Sequence, residues 1–164
     1  MSQAELSREQ GIIDKLRARF PEAIKETKID RARRVTIHFE REHLQEIAKF
    51  MRDEIGLDHV KGVAGVDFPT QKRIEVLYFA ASYSRPEIQD IIVILTAELP
   101  RENPAIATSV TIWPSAHFHE RETFEMFGVK FEGHPDLRKL LTLDNWEGPP
   151  PMLKDIKFPE MSQR

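Results

Sequence analysis

Between residues 60 and 112 the sequence carries strand patterns and little else. The runs 60–68, 74–83, 88–99 and 107–112 are rich in Val, Ile, Phe and Tyr and are punctuated by Pro69, Pro86, Pro100 and Pro104. Such runs bounded by turn residues predict antiparallel strands joined by short loops. Upstream, Val35, Ile37 and Phe39 alternate with Thr36 and His38, the period of a half-buried strand, and residues 24–29 form a weaker strand before it across a charged turn at 30–34. Two helices flank this pair. Ser7 and Gln10 have the spacing of a capping box, followed by Ile12, Ile13, Leu16 and Phe20 at helical intervals until Pro21 stops the helix. Leu44, Ile47, Ala48, Met51 and Ile55 make the second stripe, closed by Gly56 at a C-cap. A helix pair with a contiguous group of strands predicts an α+β fold, helices packed on one face of a mainly antiparallel sheet.

At 164 residues the chain is one domain with room for an appended tail, and its 40% hydrophobic and 31% charged composition is that of a folded globular protein. It has no cysteine, so it offers neither disulfides nor the thiolates that zinc fingers and iron–sulfur clusters require. A net charge of −3 gives no general attraction to nucleic acid or anionic lipid. The apolar run Ile91, Ile92, Val93, Ile94, Leu95 is far short of the roughly 20 residues that span a bilayer. With no signal-like start either, the expected location is the cytoplasm, any membrane link passing through a partner.

After Gly128 the composition changes: five of the 11 prolines, Pro135, Pro149, Pro150, Pro151 and Pro159, fall in the last 36 residues. Proline fixes φ and removes a donor, so this segment continues neither a sheet nor a long helix. Yet Leu137, Leu140, Leu141, Leu143, Trp146, Met152, Ile156 and Phe158 are too many apolar residues for a solvated linker. The expectation is a domain over 1–128 and an extended tail over 129–164 that lies along a surface, either that of its own domain or that of another protein.

Residues 114–128 open with Pro114 and end with Gly128, the punctuation of a helix. At about 100° per residue, Phe118, Arg121, Glu122 and Glu125 share one side while Glu120, Phe124 and Phe127 share the other. Aromatics and charges therefore mix on both faces. A surface helix segregates them; the mixture suggests one gripped between two bodies, with Arg121 bridging glutamates where water is partly excluded, against the plainer reading of a solvated helix that happens to contain aromatics. His117, His119 and His134 raise a metal reading, but the first two are two apart, unlike the i, i+4 pair of zinc proteases, and His134 sits in a Gly-His-Pro-Asp turn where its ring can bond to backbone. A structural role is favoured. Glu120, Glu122 and Glu125 are the conceivable acid/base carboxylates, and Arg121 beside them favours ion pairing instead. Phosphate-cradling glycine loops, a serine elbow and thiol nucleophiles are all missing. Arg31, Arg33 and Arg34 read as a solvated turn rather than a nucleic-acid patch.

Glu120-Arg121-Glu122, Phe127-Gly128-Val129, Gly133-His134-Pro135-Asp136-Leu137-Arg138 and Asp144-Asn145-Trp146-Glu147-Gly148 stand in register with one long signature. It resembles that of the 30 kDa subunit of the respiratory NADH dehydrogenase (NADH-quinone oxidoreductase), complex I. That family includes the corresponding subunit of membrane-bound nickel–iron hydrogenases and related ion-pumping complexes. The resemblance implies a non-catalytic, cofactor-free subunit of the peripheral arm, on the cytoplasmic side of the membrane. It would be packed against the large subunit of hydrogenase type, with iron–sulfur clusters, and quinone or nickel–iron chemistry, belonging to partner chains that carry electron transport coupled to ion translocation. On that resemblance the subunit interface takes in Phe118, Glu120, Arg121, Glu122, Glu125, Phe127, Gly128, His134, Pro135, Asp136, Arg138, Trp146, Lys154 and Asp155. Three departures stand out: Phe118 replaces the family's usual tryptophan, Glu125 an aspartate of many quinone-reducing members, and Met152-Leu153-Lys154-Asp155 lacks the usual arginine. They point toward a hydrogenase-type or archaeal-type complex. The competing readings are a stand-alone, metal-assisted or carboxylate-based enzyme and a free adaptor whose tail is disordered alone.

Overall fold

The computed structural model describes residues 6–143 and 146–156. Helix α1 (Ser7–Arg19) leads into a hairpin of β1 (Ile24–Arg31) and β2 (Arg34–Phe39); α2 (Leu44–Phe50) follows and runs on as a π-turn over Met51–Ile55. Strands β3 (His59–Phe68), β4 (Arg73–Ala81) and β5 (Ile92–Pro100) form a meander. A short β6 (Ala105–Ala107), helix α3 (Ala116–Phe127) and β7 (Lys130–Glu132) complete the regular structure. The main sheet has the order β1-β2-β5-β4-β3, antiparallel except where β5 lies parallel to β2 with Val35 opposite Val93 and Ile37 opposite Leu95. This is the α+β, mainly antiparallel architecture that the periodicity predicts.

One face of the sheet is closed by the helices. Val35, Ile37 and Phe39 from β2, Ile74, Val76 and Tyr78 from β4, and Val93, Leu95 and Ala97 from β5 meet Ile12, Ile13 and Leu16 of α1 and Leu44, Ile47 and Ala48 of α2 in one core. Burying such side chains contributes roughly 1.5–3 kcal/mol each against the conformational entropy of ordering the chain. The alternation in β2 and the i, i+3, i+4 stripe in α2 are thus the two halves of a single interface.

Local departures from the sequence reading have local causes. Helix α1 takes Ser7 into its first turn with Leu6 at the N-cap, and Gln10 turns to Asp14 at 2.8 Å, so the capping box does not form. The expected strand over 107–112 is instead β6 at Ala105–Ala107 followed by turns. Thr108 and Ser109 leave the strand because both serve Glu120. Helix α3 starts at Ala116, two residues beyond Pro114, and stops as expected at Gly128, whose φ of 76° is the left-handed conformation of a helix C-cap. Beyond it β7 pairs in parallel with β6, so the first residues after the compositional boundary form a two-stranded sheet.

Helix α3 is bolted to the edge strand β3. The fully buried Trp113 donates its indole N–H to Leu57 O at 2.8 Å, and Ser115 Oγ accepts the Val60 N–H at 3.1 Å. The Thr123 hydroxyl reaches Val63 O at 3.2 Å. Gly65 makes the close approach possible: a Cβ there would stand 2.5 Å from the Phe127 ring.

Candidate functional site

The residues singled out in α3 do three different jobs. Glu120 points inward and is fully buried; Thr108 Oγ1 donates to it at 2.5 Å, Ser109 N–H at 2.8 Å and Ser109 Oγ at 2.7 Å. Burial pushes its carboxyl above the ordinary glutamate range, opposed by those bonds and by nearby His134. It ties the turn after β6 to the helix. Phe127 is buried too, against Gly65.

Arg121 and Glu125, one turn apart, hold the chain that comes after the helix. Arg121 Nε donates to Arg138 O at 3.1 Å and Nη2 to Lys139 O at 3.0 Å, with Asp136 at 3.6 Å from Nη1 and the Phe118 ring 5.6 Å from the guanidinium carbon. The glutamate bridge expected of Arg121 is therefore not made. Its partners are main-chain carbonyls, because the 136–142 segment lies alongside the helix and presents oxygens at one end and N–H groups at the other. Glu125 collects those N–H groups: Leu140 at 2.9 Å and Leu141 at 2.7 Å on one oxygen, Thr142 at 2.8 Å on the other together with the Thr142 hydroxyl. Burial would raise the Glu125 carboxyl, but the Thr142 hydroxyl and the three N–H groups outweigh it and hold the carboxyl at about 2. The two bodies gripping α3 are its own strand β3 and its own following segment.

His134 joins the same arrangement. Its Nδ1 accepts the Asp136 N–H at 3.0 Å, which places the ring proton on Nε2, 3.1 Å from His117 O. The ring bonds to backbone, as the turn sequence predicts, and the three histidines gather no cluster of metal-binding type among the described residues. Farther along, Met152 N–H donates to Met126 O at 3.0 Å, and Lys154 N–H to Asp67 Oδ2 at 2.8 Å. Arg101 grips the same buried Asp67 at 2.7 Å and reaches Asp155 at 2.5 Å. Lys154 Nζ lies 5.3 Å from the Phe68 ring centroid.

With its backbone bound inward, this part of the chain turns apolar side chains outward. Phe118 is 60% exposed, Leu141 59%, Leu143 74% and Met152 55%, with Leu140 beside them. Among the residues expected at an interface, Glu122, Pro135, Arg138, Lys154 and Asp155 are exposed, Gly128, His134, Asp136 and Trp146 half-buried, and Glu120, Arg121, Glu125 and Phe127 buried. Asp136 pairs with Arg138 at 2.9 Å, and Trp146 donates its indole N–H to Pro149 O at 3.2 Å. Asp144 and Asn145 of the signature and Phe158 and Pro159 of the tail lie outside the described residues. Sequence reasoning misses Thr108, Ser109, Thr142, Asp67 and Arg101, since nothing in spacing marks a hydroxyl or a distant aspartate as the partner of a given helix residue. Leu140, Leu141, Leu143 and Met152 count in the sequence as apolar tail, without an assignment to the surface.

Residues 37–162 match the family described as the respiratory-chain NADH dehydrogenase, 30 Kd subunit. The chain belongs to that family. Members similar to it include a subunit of the F(420)H(2) dehydrogenase of Methanosarcina mazei, 34% identical over 93% of this chain and 95% of that one. A subunit of the NADH-quinone oxidoreductase of Acidothermus cellulolyticus is 38% identical over 80% of this chain and 68% of its own length. Among solved structures, the trypsin-resistant fragment of Nqo5 superposes with a TM-score of 0.66 at 26% identity, covering 79% of this chain and 99% of the fragment. A chain of the membrane-bound sulfane sulfur reductase, an archaeal respiratory membrane complex, shares the fold: TM-score 0.75, 22% identity, 92% of this chain and 86% of that one. As a member of the 30 kDa family the chain is a subunit of a complex I-like assembly, so partner subunits are implied. No helix among the described residues is long and apolar enough to cross a membrane.

Proposed function

We propose that this 30 kDa-family subunit is a non-catalytic, cofactor-free structural component of the peripheral arm of a complex I-like membrane-bound oxidoreductase, a dehydrogenase or hydrogenase whose electron transfer is coupled to ion translocation. It docks the large catalytic subunit on the cytoplasmic side of the membrane, and the iron–sulfur clusters and the quinone or nickel–iron chemistry belong to its partners. The observation that carries this reading is the exposed strip of Phe118, Leu140, Leu141, Leu143 and Met152 mounted on a backbone that Arg121, Glu125 and Asp67 hold in place. Large apolar side chains held out on a fixed backbone mark an interaction site; the remaining large exposed hydrophobic among the described residues is Tyr83. A preordered surface also binds without a large ordering cost.

The competing reading as a carboxylate enzyme finds two of its three glutamates otherwise engaged, and the third, Glu122, exposed on the helix surface. Glu120 is enclosed by Thr108 and Ser109, and Glu125 is saturated by backbone N–H groups. A free adaptor with a disordered tail is disfavoured by the bonds tying residues 134–142 and 152–155 to the domain. The test is to purify the tagged chain from native membranes and identify its companions by mass. One stoichiometric set containing a hydrogenase-type large subunit and cluster-bearing chains is expected; recovery of the chain alone, or with a shifting set of partners, overturns the reading.

A further inference from the structure

Strand edges are normally guarded, because their free N–H and C=O groups accept any passing strand. Two edges here are. The outer strand β1 carries Lys25, Glu26, Lys28 and Arg31, and on β3 the Val60 N–H and the Val63 carbonyl are taken by Ser115, just before α3, and by Thr123 within it. In the two-stranded sheet the Phe131 carbonyl on the outer side of β7 accepts the His134 N–H at 3.2 Å, whereas the outer side of β6 makes no hydrogen bond among the described residues. Lys130 N–H donates to Pro104 O and Thr108 N–H to Glu132 O, so in this parallel ladder Ile106 spends both of its backbone groups on β7. Ala105 and Ala107 then turn theirs the other way, where no partner meets them among the described residues. Both alanines line a groove of about 580 Å³, together with Ile106 and with Arg41, Glu42, Pro100, Glu102, Asn103 and Glu132.

The charge of the groove selects among occupants. Arg41 is neutralised by Glu42 at 2.8 Å, whereas Glu102 and Glu132 are exposed and form no ion pair among the described residues. We infer that the free edge of β6 receives an extended segment of a partner subunit, paired through the N–H and C=O groups of Ala105 and Ala107, with lysine or arginine side chains set against Glu102 and Glu132. Backbone pairing supplies the affinity in this mode and the flanking charges the selectivity. The inference rests on the reading of the chain as an assembly subunit but uses a surface separate from the α3 strip.

Amide hydrogen exchange distinguishes the two. It is measured residue by residue on the isolated chain and on the complex purified from membranes. In the isolated chain Ile106 exchanges slowly and Ala105 and Ala107 fast; in the complex Ala105 and Ala107 slow by tenfold or more. If both keep their free-chain rates while residues 138–143 become protected, the β6 inference falls and the proposed function stands. If neither region gains protection, both fall. The double variant Glu102→Lys/Glu132→Lys, with slow exchange at Ile106 as the check on folding, is expected to lose the slowing at Ala105 and Ala107. Full retention of the slowing would overturn the assignment of a basic partner segment.

Discussion

Leu141 is held by its backbone and displayed by its side chain: its N–H donates to Glu125 Oε2 at 2.7 Å while 59% of the residue stays exposed. The same division of labour runs through residues 138–142, where backbone polar atoms bind α3. A helix residue thereby fixes the shape of a surface while itself being buried.

The pH dependence follows from the sign of the Glu125 shift. Its carboxyl is held at about 2 in the folded state, below the ordinary 4.5, so the loop's contribution is complete above pH ~4.5 and is lost as pH falls toward ~2. A shift of that size corresponds to roughly 3 kcal/mol at most. Glu125→Gln, neutral at every pH, is expected to flatten the acid limb of the stability profile and to speed exchange at the amides of Leu140 to Thr142. An unchanged acid limb in chemical denaturation would contradict the assignment.

Arg121→Ala removes two charge-assisted bonds to the Arg138 and Lys139 carbonyls. About 2–4 kcal/mol of stability should be lost, concentrated at residues 136–139. Arg121→Lys should restore only part, since an ammonium lacks the fork that reaches both carbonyls. Denaturant midpoints of the three proteins decide it, and equal midpoints for lysine and arginine would argue against the two-carbonyl grip.

Gly65→Ala should destabilise by roughly 1–3 kcal/mol through overpacking against Phe127. Combining it with Phe127→Leu should recover part of the loss, giving a favourable coupling in a double-mutant cycle. Strict additivity would mean the two positions do not meet.

Asp67 has no exposed side-chain surface, and Arg101 is its charge partner. Arg101→Ala strands that carboxylate and should cost on the order of 3–5 kcal/mol. Asp155→Asn, by contrast, alters an ion pair whose acid is 57% exposed and should leave the melting midpoint nearly unchanged. Thermal melts of both variants test the contrast.

What is legible in the sequence is what periodicity encodes. The alternation of Val35, Ile37 and Phe39, the Leu44 to Ile55 stripe and the Gly128 stop all reappear as β2, α2 and the end of α3. The strand expected over 107–112 does not form because Thr108, a residue of high strand propensity, and Ser109 beside it have a tertiary task, serving a buried carboxylate. Arg121 reads as an ion-pair residue because side-chain charges are visible in a sequence. Its actual partners, the carbonyls of Arg138 and Lys139, belong to the backbone, which every residue carries and no pattern marks. The same holds for the N–H groups on Glu125. The mixed faces of α3 are nonetheless a true signal that this helix is enclosed on two sides.

On the proposed function, Leu141 and Leu143 of the segment that follows α3 are displayed for a partner. The double variant Leu141→Asp/Leu143→Asp changes only exposed side chains, so its isolated chain should melt within about 0.5 kcal/mol of the parent, while its recovery in the membrane-bound complex should fall at least tenfold. A variant that assembles at the parental level would contradict the account.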